Sequence, residues 1–393
     1  MDNATLEKKP AAPPAPLRVP PAKIVFPPEE VDRALEEMRA AITSGQLTLG
    51  KHTKAFEEGF AKMTGSKFAA AVSSGTCSLE IIIRALGIKG EVIVPTNTFF
   101  ATAAAVLHAG ARLRLADVNA KTLCLDLPTL EAAVTKSTEA VVVVHIGGII
   151  PPDIDAMRAF CEKRKIVLLE DAAHAHGSSL KGVKAGRFGL AASFSFYPTK
   201  VMTSAEGGMI VTDDAKIHEE ALIYRDQGKA GFTANVHTRL GANWRMSELH
   251  AILGLSQLRH LERFINERQA TAKVYDRKLQ GTTALELLPP IDGLSCNYYK
   301  YPVLLPRCIS RIELKQRLRS ELGVSLSGEV YDLPCHRQPI FQQYAGGEFP
   351  GAEEGCARHI CLPLYPDLTK AEVEYVVEAL QKTINSMTVE VSH

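Results

Sequence analysis

The chain has 393 residues, 46% of them hydrophobic, and its 45 basic and 44 acidic side chains leave a formal charge of +1. A near-neutral chain of this size can bury a large core and should divide into two domains, and it lacks the basic footprint that nucleic acid requires. Its apolar runs, such as Ala140 to Ile146, are too short to cross a membrane, and no secretory pattern opens it. Its eight cysteines form no Cys-x-x-Cys pair. A soluble cytoplasmic protein without zinc knuckles or a disulfide framework is expected.

In chain order, residues 1–22 hold most of a Pro/Ala-rich stretch, expected to be a flexible tail that packs no core. Val31, Leu35, Met38 and Ile42 recur at helical spacing up to Gly45, and Phe56, Phe60 and Met63 mark a second helix ending at Gly65. Strands and helices then alternate. Strands are predicted at Phe68–Ser73, Glu91–Pro95, Arg112–Asp117, Ala140–Ile146 and Ile166–Glu170, and helices at Cys77–Leu86, Phe99–Ala109 and Asp153–Arg164. This pattern predicts an α/β large domain over residues 23–260, a mostly parallel mixed sheet sandwiched by helices, with ligands outside the carboxyl ends of its strands. A long helix from Ser247 to about Leu279 leads into a smaller α/β domain over residues 261–393. That domain carries a strand at Tyr298–Leu305 and helices at Ser310–Leu322 and Thr369 to about Met387.

The chemistry concentrates between Ile166 and Asp213. One apolar strand runs into Glu170 and Asp171, and a second runs from Ser193 through Phe194, Phe196 and Tyr197 to Lys200. An acid can hold a pyridinium nitrogen while a lysine forms a Schiff base with an aldehyde, so the pair suits a pyridoxal-phosphate (PLP) enzyme. Apolar neighbours lower a lysine's pKa, which favours the neutral amine that must attack. Upstream, Ser73-Ser74-Gly75-Thr76 between a strand and a helix can cradle an anion, although the same residues also make an ordinary helix cap. After the next strand, Phe99 or Phe100 can lie on a ring, and Phe99 is the choice; for any phenylalanine, core packing is the competing reading. His174-Ala175-His176 has no third ligand at the usual spacing, so no metal is assigned.

Together, Ser73–Thr76, Pro95–Phe99, Glu170–Gly177, Ser193–Lys200, Ala205–Gly208 and Leu240–Met246 resemble the DegT/DnrJ/EryC1/StrS group of sugar aminotransferases, in the family's order. The resemblance runs from about Ile24 to the C-terminus and implies fold type I of the PLP-dependent transferases. It makes Lys200 the Schiff-base lysine, pairs Asp171 with the pyridine nitrogen and stacks Phe99 on the ring. It gives the phosphate to Gly75, Thr76, Ser195 and Asn243, the last supplied by a neighbouring subunit, so a homodimer with shared sites is implied. Thr48, Lys51, Tyr331 and His336 fall in segments that resemble those lining the substrate site. Several positions depart from the family. His174 stands where Gln usually contacts the cofactor's phenolic oxygen, and Lys51 where Pro is common. Cys77 and Ser78 replace smaller residues, and His145-Ile146-Gly147-Gly148 replaces His-x-Tyr-Gly. A histidine can still donate one hydrogen bond there, and Lys51 can reach a diphosphate or stay solvated.

The implied activity is transfer of an amino group from glutamate or glutamine to a keto-sugar, nucleotide-linked, in amino-sugar or antibiotic biosynthesis. A cyclic ketone such as an inosose is an alternative acceptor. A dehydratase of the same fold carries histidine at the lysine position, so Lys200 argues against it. A non-catalytic regulatory member is disfavoured by the intact set of Asp171, Ser195 and Lys200.

Overall fold

The computed structural model describes residues 18–229, 231, 235–281 and 285–391. Helices α1 (Pro28–Ser44) and α2 (Lys51–Thr64) lead into β1 (Phe68–Val72), α3 (Gly75–Ala85), β2 (Glu91–Pro95), α4 (Phe100–His108) and β3 (Arg112–Ala116). Next come α5 (Leu127–Ala133), β4 (Thr138–Val144), α6 (Ile154–Arg164), β5 (Val167–Asp171), the short pair β6 (Ser179–Leu180) and β7 (Val183–Lys184), β8 (Ala191–Ser195) and β9 (Gly208–Thr212). After α7 (Ala215–Arg225) and α8 (Glu248–Leu279) follow β10 (Glu286–Leu287), β11 (Leu294–Ser295), β12 (Tyr301–Leu304), α9 (Arg311–Leu322), α10 (Pro350–Arg358), β13 (His359–Leu362) and α11 (Lys370–Val391).

Seven strands form one sheet in the order β1-β9-β8-β5-β4-β2-β3, and β9 alone runs antiparallel to its neighbours. Both faces are covered, which explains the near-continuous apolar strands. In β4, Val141 and Val143 join one core with Phe56, Phe60, Phe194 and Phe196, while Val142 joins the other with Leu79 and Ile81. A one-residue slip would exchange the two faces, so register is set by packing on both sides. The smaller domain builds on β10-β12-β13, covered by α9 and α11.

The 260/261 division falls inside α8, a 32-residue helix that spans about 48 Å at 1.5 Å per residue. Its first half packs Ala251 and Leu261 into the large domain, and its last turns put Ala272, Tyr275 and Leu279 into the small one. One rod therefore belongs to both. The segment after Val330 also returns to the large domain, where Cys335, Phe341 and Phe349 are buried. The tail reading needs correction at its end. Val19 is 1% exposed and accepts from the Ser325 amide at 3.0 Å while donating to the Gly323 carbonyl at 3.1 Å. An apolar residue next to an unpaired backbone edge gains both burial and hydrogen bonds there. The tail's residues 1–17 lie outside the described residues.

Two predicted strands change in ways that bear on the site. The strand toward Lys200 ends at Ser195, and Lys200 sits beyond Pro198 in a turn closed by its amide on the Tyr197 carbonyl at 2.9 Å. Proline cannot extend the ladder, so the lysine is carried out of the sheet. The run Tyr298–Leu305 contracts to Tyr301–Leu304, because Tyr298 adopts φ +49° and breaks the extended backbone.

Candidate active site

The carboxyl ends of β1, β2, β4, β5 and β8 open into a cavity of about 420 Å³, which Tyr299 and Tyr331 close from the C-terminal part of the chain. Of the residues singled out from sequence, Gly75, Thr76, Phe99, Asp171, His174, Ser195, Lys200 and Tyr331 all line it.

Helix α3 begins at Gly75, two residues earlier than expected. Ser74 caps it by accepting from the Cys77 amide at 3.2 Å, and the Gly75 and Thr76 amides have no acceptor among the described residues. These amides, the Thr76 hydroxyl and Ser195 meet at a helix N-terminus, where backbone donors and the helix dipole favour an anion. Glycines permit the approach. A Cβ on Gly75 would lie 2.8 Å from the Ser195 Cβ, and one on Gly208 would overlap the Ser74 carbonyl. Gly208→Ala should therefore push the cradle open and cost about 1–3 kcal/mol by overpacking against backbone. Urea unfolding checks the cost, and an unchanged midpoint would show that the loop yields freely.

The two carboxylates at the end of β5 divide their work. Glu170 is fully buried and accepts from the amides of Gly186 (2.7 Å), Phe188 (2.8 Å) and Gly189 (2.7 Å), with His145 Nε2 at 2.8 Å. Its oxygens are consumed in holding the chain between β7 and β8. Asp171 faces the cavity instead, accepting from Thr102 Oγ1 at 2.7 Å and the Ala173 amide at 3.1 Å. Those bonds orient it while leaving room for a proton-bearing ligand atom.

Lys200 is the one lysine or arginine lining this cavity among the described residues. Burial lowers its pKa to about 8, against the opposing pull of Asp171. Its Nζ lies 5.0 Å from the centre of the Tyr299 ring. His174 stacks on the same ring at 4.3 Å. Burial, with the Lys200 charge second, holds His174 well below its ordinary pKa. His176 points elsewhere, packed fully buried against Phe194 and Phe196.

Phe99 is half exposed at the mouth, 5.7 Å from the Tyr331 ring, whereas Phe100 packs on Phe341. Four residues singled out from sequence are not brought to the cavity of their own chain. Asn243 is exposed in the segment whose Trp244 carbonyl accepts from the Ser73 amide at 2.8 Å. Thr48 bridges to Ser247, and exposed Lys51 begins α2. The N-terminus of α2 is already filled by the Glu248 carboxylate, which accepts from the Gly50, His52 and Thr53 amides at 2.8–3.0 Å. That end of the helix is not open to a phosphate. His336 is buried beside a separate cavity of about 550 Å³, bonded to Thr96 Oγ1 at 2.8 Å and stacked on Phe349. Its ring is committed there, outside the cavity that holds Lys200.

The sequence reading missed Thr102, Tyr299 and the two asparagines that place the tyrosines. Asn97 Oδ1 accepts the Tyr331 amide at 2.9 Å. Asn297 Oδ1 accepts the Tyr299 amide at 2.9 Å, and its Nδ2 donates to the carbonyls of His174 and His176. Asn97 lies inside the Pro95–Phe99 motif, where nothing local separates it from its neighbours. Tyr299 and Asn297 lie over 120 residues from His174, and no local pattern marks them.

The model of the DegT/DnrJ/EryC1/StrS aminotransferase family matches residues 28–381. A "pleiotropic regulatory protein" from Geobacillus stearothermophilus is 32% identical over 89% of this chain and 93% of its own length. The dTDP-4-dehydro-2,3,6-trideoxy-D-glucose 4-aminotransferase of Saccharopolyspora spinosa is 33% identical over 89% of this chain and 94% of its own. Among solved structures, NtdA from Bacillus subtilis with bound cofactor PMP superposes with a TM-score of 0.83 at 27% identity, covering 92% of this chain and 83% of that one.

Proposed function

Because the chain belongs to the DegT/DnrJ/EryC1/StrS aminotransferase family, we propose that it moves an amino group from glutamate or glutamine to a nucleotide-linked keto-sugar. It is a PLP-dependent aminotransferase of fold type I, and a relative of the same fold carries PMP, the aminated form of that cofactor. The residues present fit the group. The glycine-permitted cradle at Gly75, Thr76 and Ser195 suits its phosphate, Asp171 its ring nitrogen and Lys200 its aldehyde. Bound PLP supplies a carbonyl that captures amines and a ring that accepts electrons.

The observation that carries the reading is a half-buried lysine with a depressed pKa in the same cavity as an oriented buried carboxylate and a helix N-terminus lined by backbone amides. Asp171 would hold a proton on the cofactor's ring nitrogen, since a buried carboxylate stabilises a cation beside it. Lys200 Nζ takes a proton from the reacting carbon and returns it, as a general base and then a general acid. Phe99 and Tyr331 cover the mouth and exclude water. A nucleotide-linked acceptor is favoured by the relative that acts on a dTDP-sugar. Asn243, Thr48 and Lys51 do not line their own chain's cavity. The reading therefore includes a homodimer in which each chain supplies them to the other's site.

The test is a panel of nucleotide-linked keto-sugars, free keto-sugars and cyclic ketones with several amino donors, read by mass spectrometry. Amination of a nucleotide-linked member is expected, and amination of free cyclic ketones alone would overturn the substrate class. The pKa of Lys200 sets a further expectation. Protonated below about 8, it cannot attack an aldehyde, so covalent capture of PLP by the apoprotein should rise about tenfold per pH unit and level off above that value. Stopped-flow absorbance measures it, and a rise continuing toward pH 10.5 would show an unperturbed lysine.

A further inference from the structure

His174 is the family departure that the catalytic assignment leaves unexplained, and its surroundings fix both ring nitrogens. The Gly147 amide donates to Nδ1 at 3.2 Å, so Nδ1 is an unprotonated acceptor. A neutral ring then carries its single proton on Nε2, which stands 3.0 Å from the Tyr331 hydroxyl. Burial favours this neutral form, and Lys200 and Lys300 on the facing elements favour it further. Asp171 is the nearby carboxylate of the site, and its oxygens are turned to Thr102 and the Ala173 amide rather than to the ring.

Two consequences follow. With both nitrogens committed, His174 has none left for a ligand oxygen. The Tyr331 oxygen must accept from Nε2–H, so its own proton is turned elsewhere. Burial also raises the Tyr331 pKa well above 10, which keeps that proton in place. The phenol lines the cavity beside Phe99, and its backbone is pinned by Asn97.

We propose that His174 is a positioning residue that acts through Tyr331, fixing the phenol as a hydrogen-bond donor to an oxygen of the bound ligand. That oxygen belongs either to the keto-sugar or to the cofactor's phenolic group. The Tyr299 ring, stacked on His174 at 4.3 Å and tied by Asn297 to the His174 carbonyl, keeps the imidazole in the plane the relay needs. A glutamine at position 174 can reproduce the relay, its carbonyl accepting from Gly147 and its amide donating to Tyr331. This explains in physical terms how two unlike side chains can serve one position.

The inference rests on the aminotransferase reading for its ligand but not for its geometry, and the experiment separates the two. In 15N-edited spectra of the full chain labelled at histidine, with and without PLP, His174 should show a bare Nδ1 and a protonated Nε2 from pH 6 to 8. His174→Phe identifies the signal. A proton on Nδ1 would overturn the proposal whatever the enzyme's substrate proves to be. In the reaction, Tyr331→Phe and His174→Phe should each raise KM for the keto-sugar found in the panel about tenfold with little change in kcat. If the acceptor is the cofactor's oxygen, the same loss falls on the PLP dissociation constant. His174→Gln should recover most of the loss seen in His174→Phe, and the double Phe variant should be no worse than Tyr331→Phe alone. Losses that multiply to about a hundredfold in the double variant would show that His174 acts independently of Tyr331 and would refute the relay.

Discussion

Lys200→Ala should yield a folded protein that fixes no PLP on borohydride reduction and transaminates at least about 10⁴-fold more slowly. The fold should survive because the change removes a buried amine that burial already disfavours as a cation, and Lys200 makes no ion pair among the described residues. The activity should not survive, because no other lysine or arginine among the described residues lines the cavity. Lys200→Arg should be equally inactive, since guanidinium stays protonated and cannot serve as nucleophile or base. Full turnover by either variant would remove Lys200 from the mechanism. The same variant tests the shared site. Coexpressed with an inactive Asn243→Ala chain, Lys200→Ala should recover activity that neither parent shows. One cavity of the hybrid would then combine an intact Lys200 with an intact Asn243 from its neighbour. No recovery would restrict Asn243 to its own chain or remove it from the site.

Asp171→Asn should cost about 10³-fold in kcat while leaving stability nearly unchanged. The amide is isosteric, and its oxygen can keep accepting from the Ala173 amide while its Nδ2 donates to a reoriented Thr102 hydroxyl, so the end of β5 should hold its shape. It carries no charge, and a neutral group cannot keep a proton on a weakly basic ring nitrogen in a buried site. The effect should appear as a lower kcat with similar PLP affinity, together with a blue-shifted cofactor absorbance. Activity within about tenfold of wild type would show that ring protonation does not limit the rate. Thr102→Val should be milder, because it removes one orienting hydrogen bond and no charge.

Legibility in the sequence followed how local each signal was. The β1-α3 junction could be read because a strand, two serines, a glycine and a helix start lie within ten residues, and the structure puts them at the cavity. Asp171 could be distinguished from Glu170 only as the last residue of its run. The structure supplies the reason, since the Glu170 oxygens are taken by three amides of the following loop and by His145. Phe99 over Phe100 was a choice of side, and the start of α4 turns the two rings to different neighbours. The strand-like run at Tyr298 misled because β-branched and aromatic content says nothing of a single left-handed residue, and that residue redirects the chain at Tyr299.

By itself, the sequence determined the alternation of strands and helices, the double-sided apolar core and the order of the acid, the lysine and the Ser-Gly-Thr helix start. Each of these is encoded by neighbours a few residues apart, through periodicity, capping and turn chemistry. Only the tertiary structure decided which nitrogen of His174 meets the Gly147 amide, which tyrosines close the cavity, and that Asn243, Thr48 and Lys51 lie outside the cavity of their own chain. Those outcomes depend on contacts between residues 27 to more than 150 positions apart, where Gly147, His174, Tyr299 and Tyr331 meet. A local pattern cannot encode such a meeting, because it is set by how the whole sheet, the long α8 helix and the returning C-terminal segment pack together.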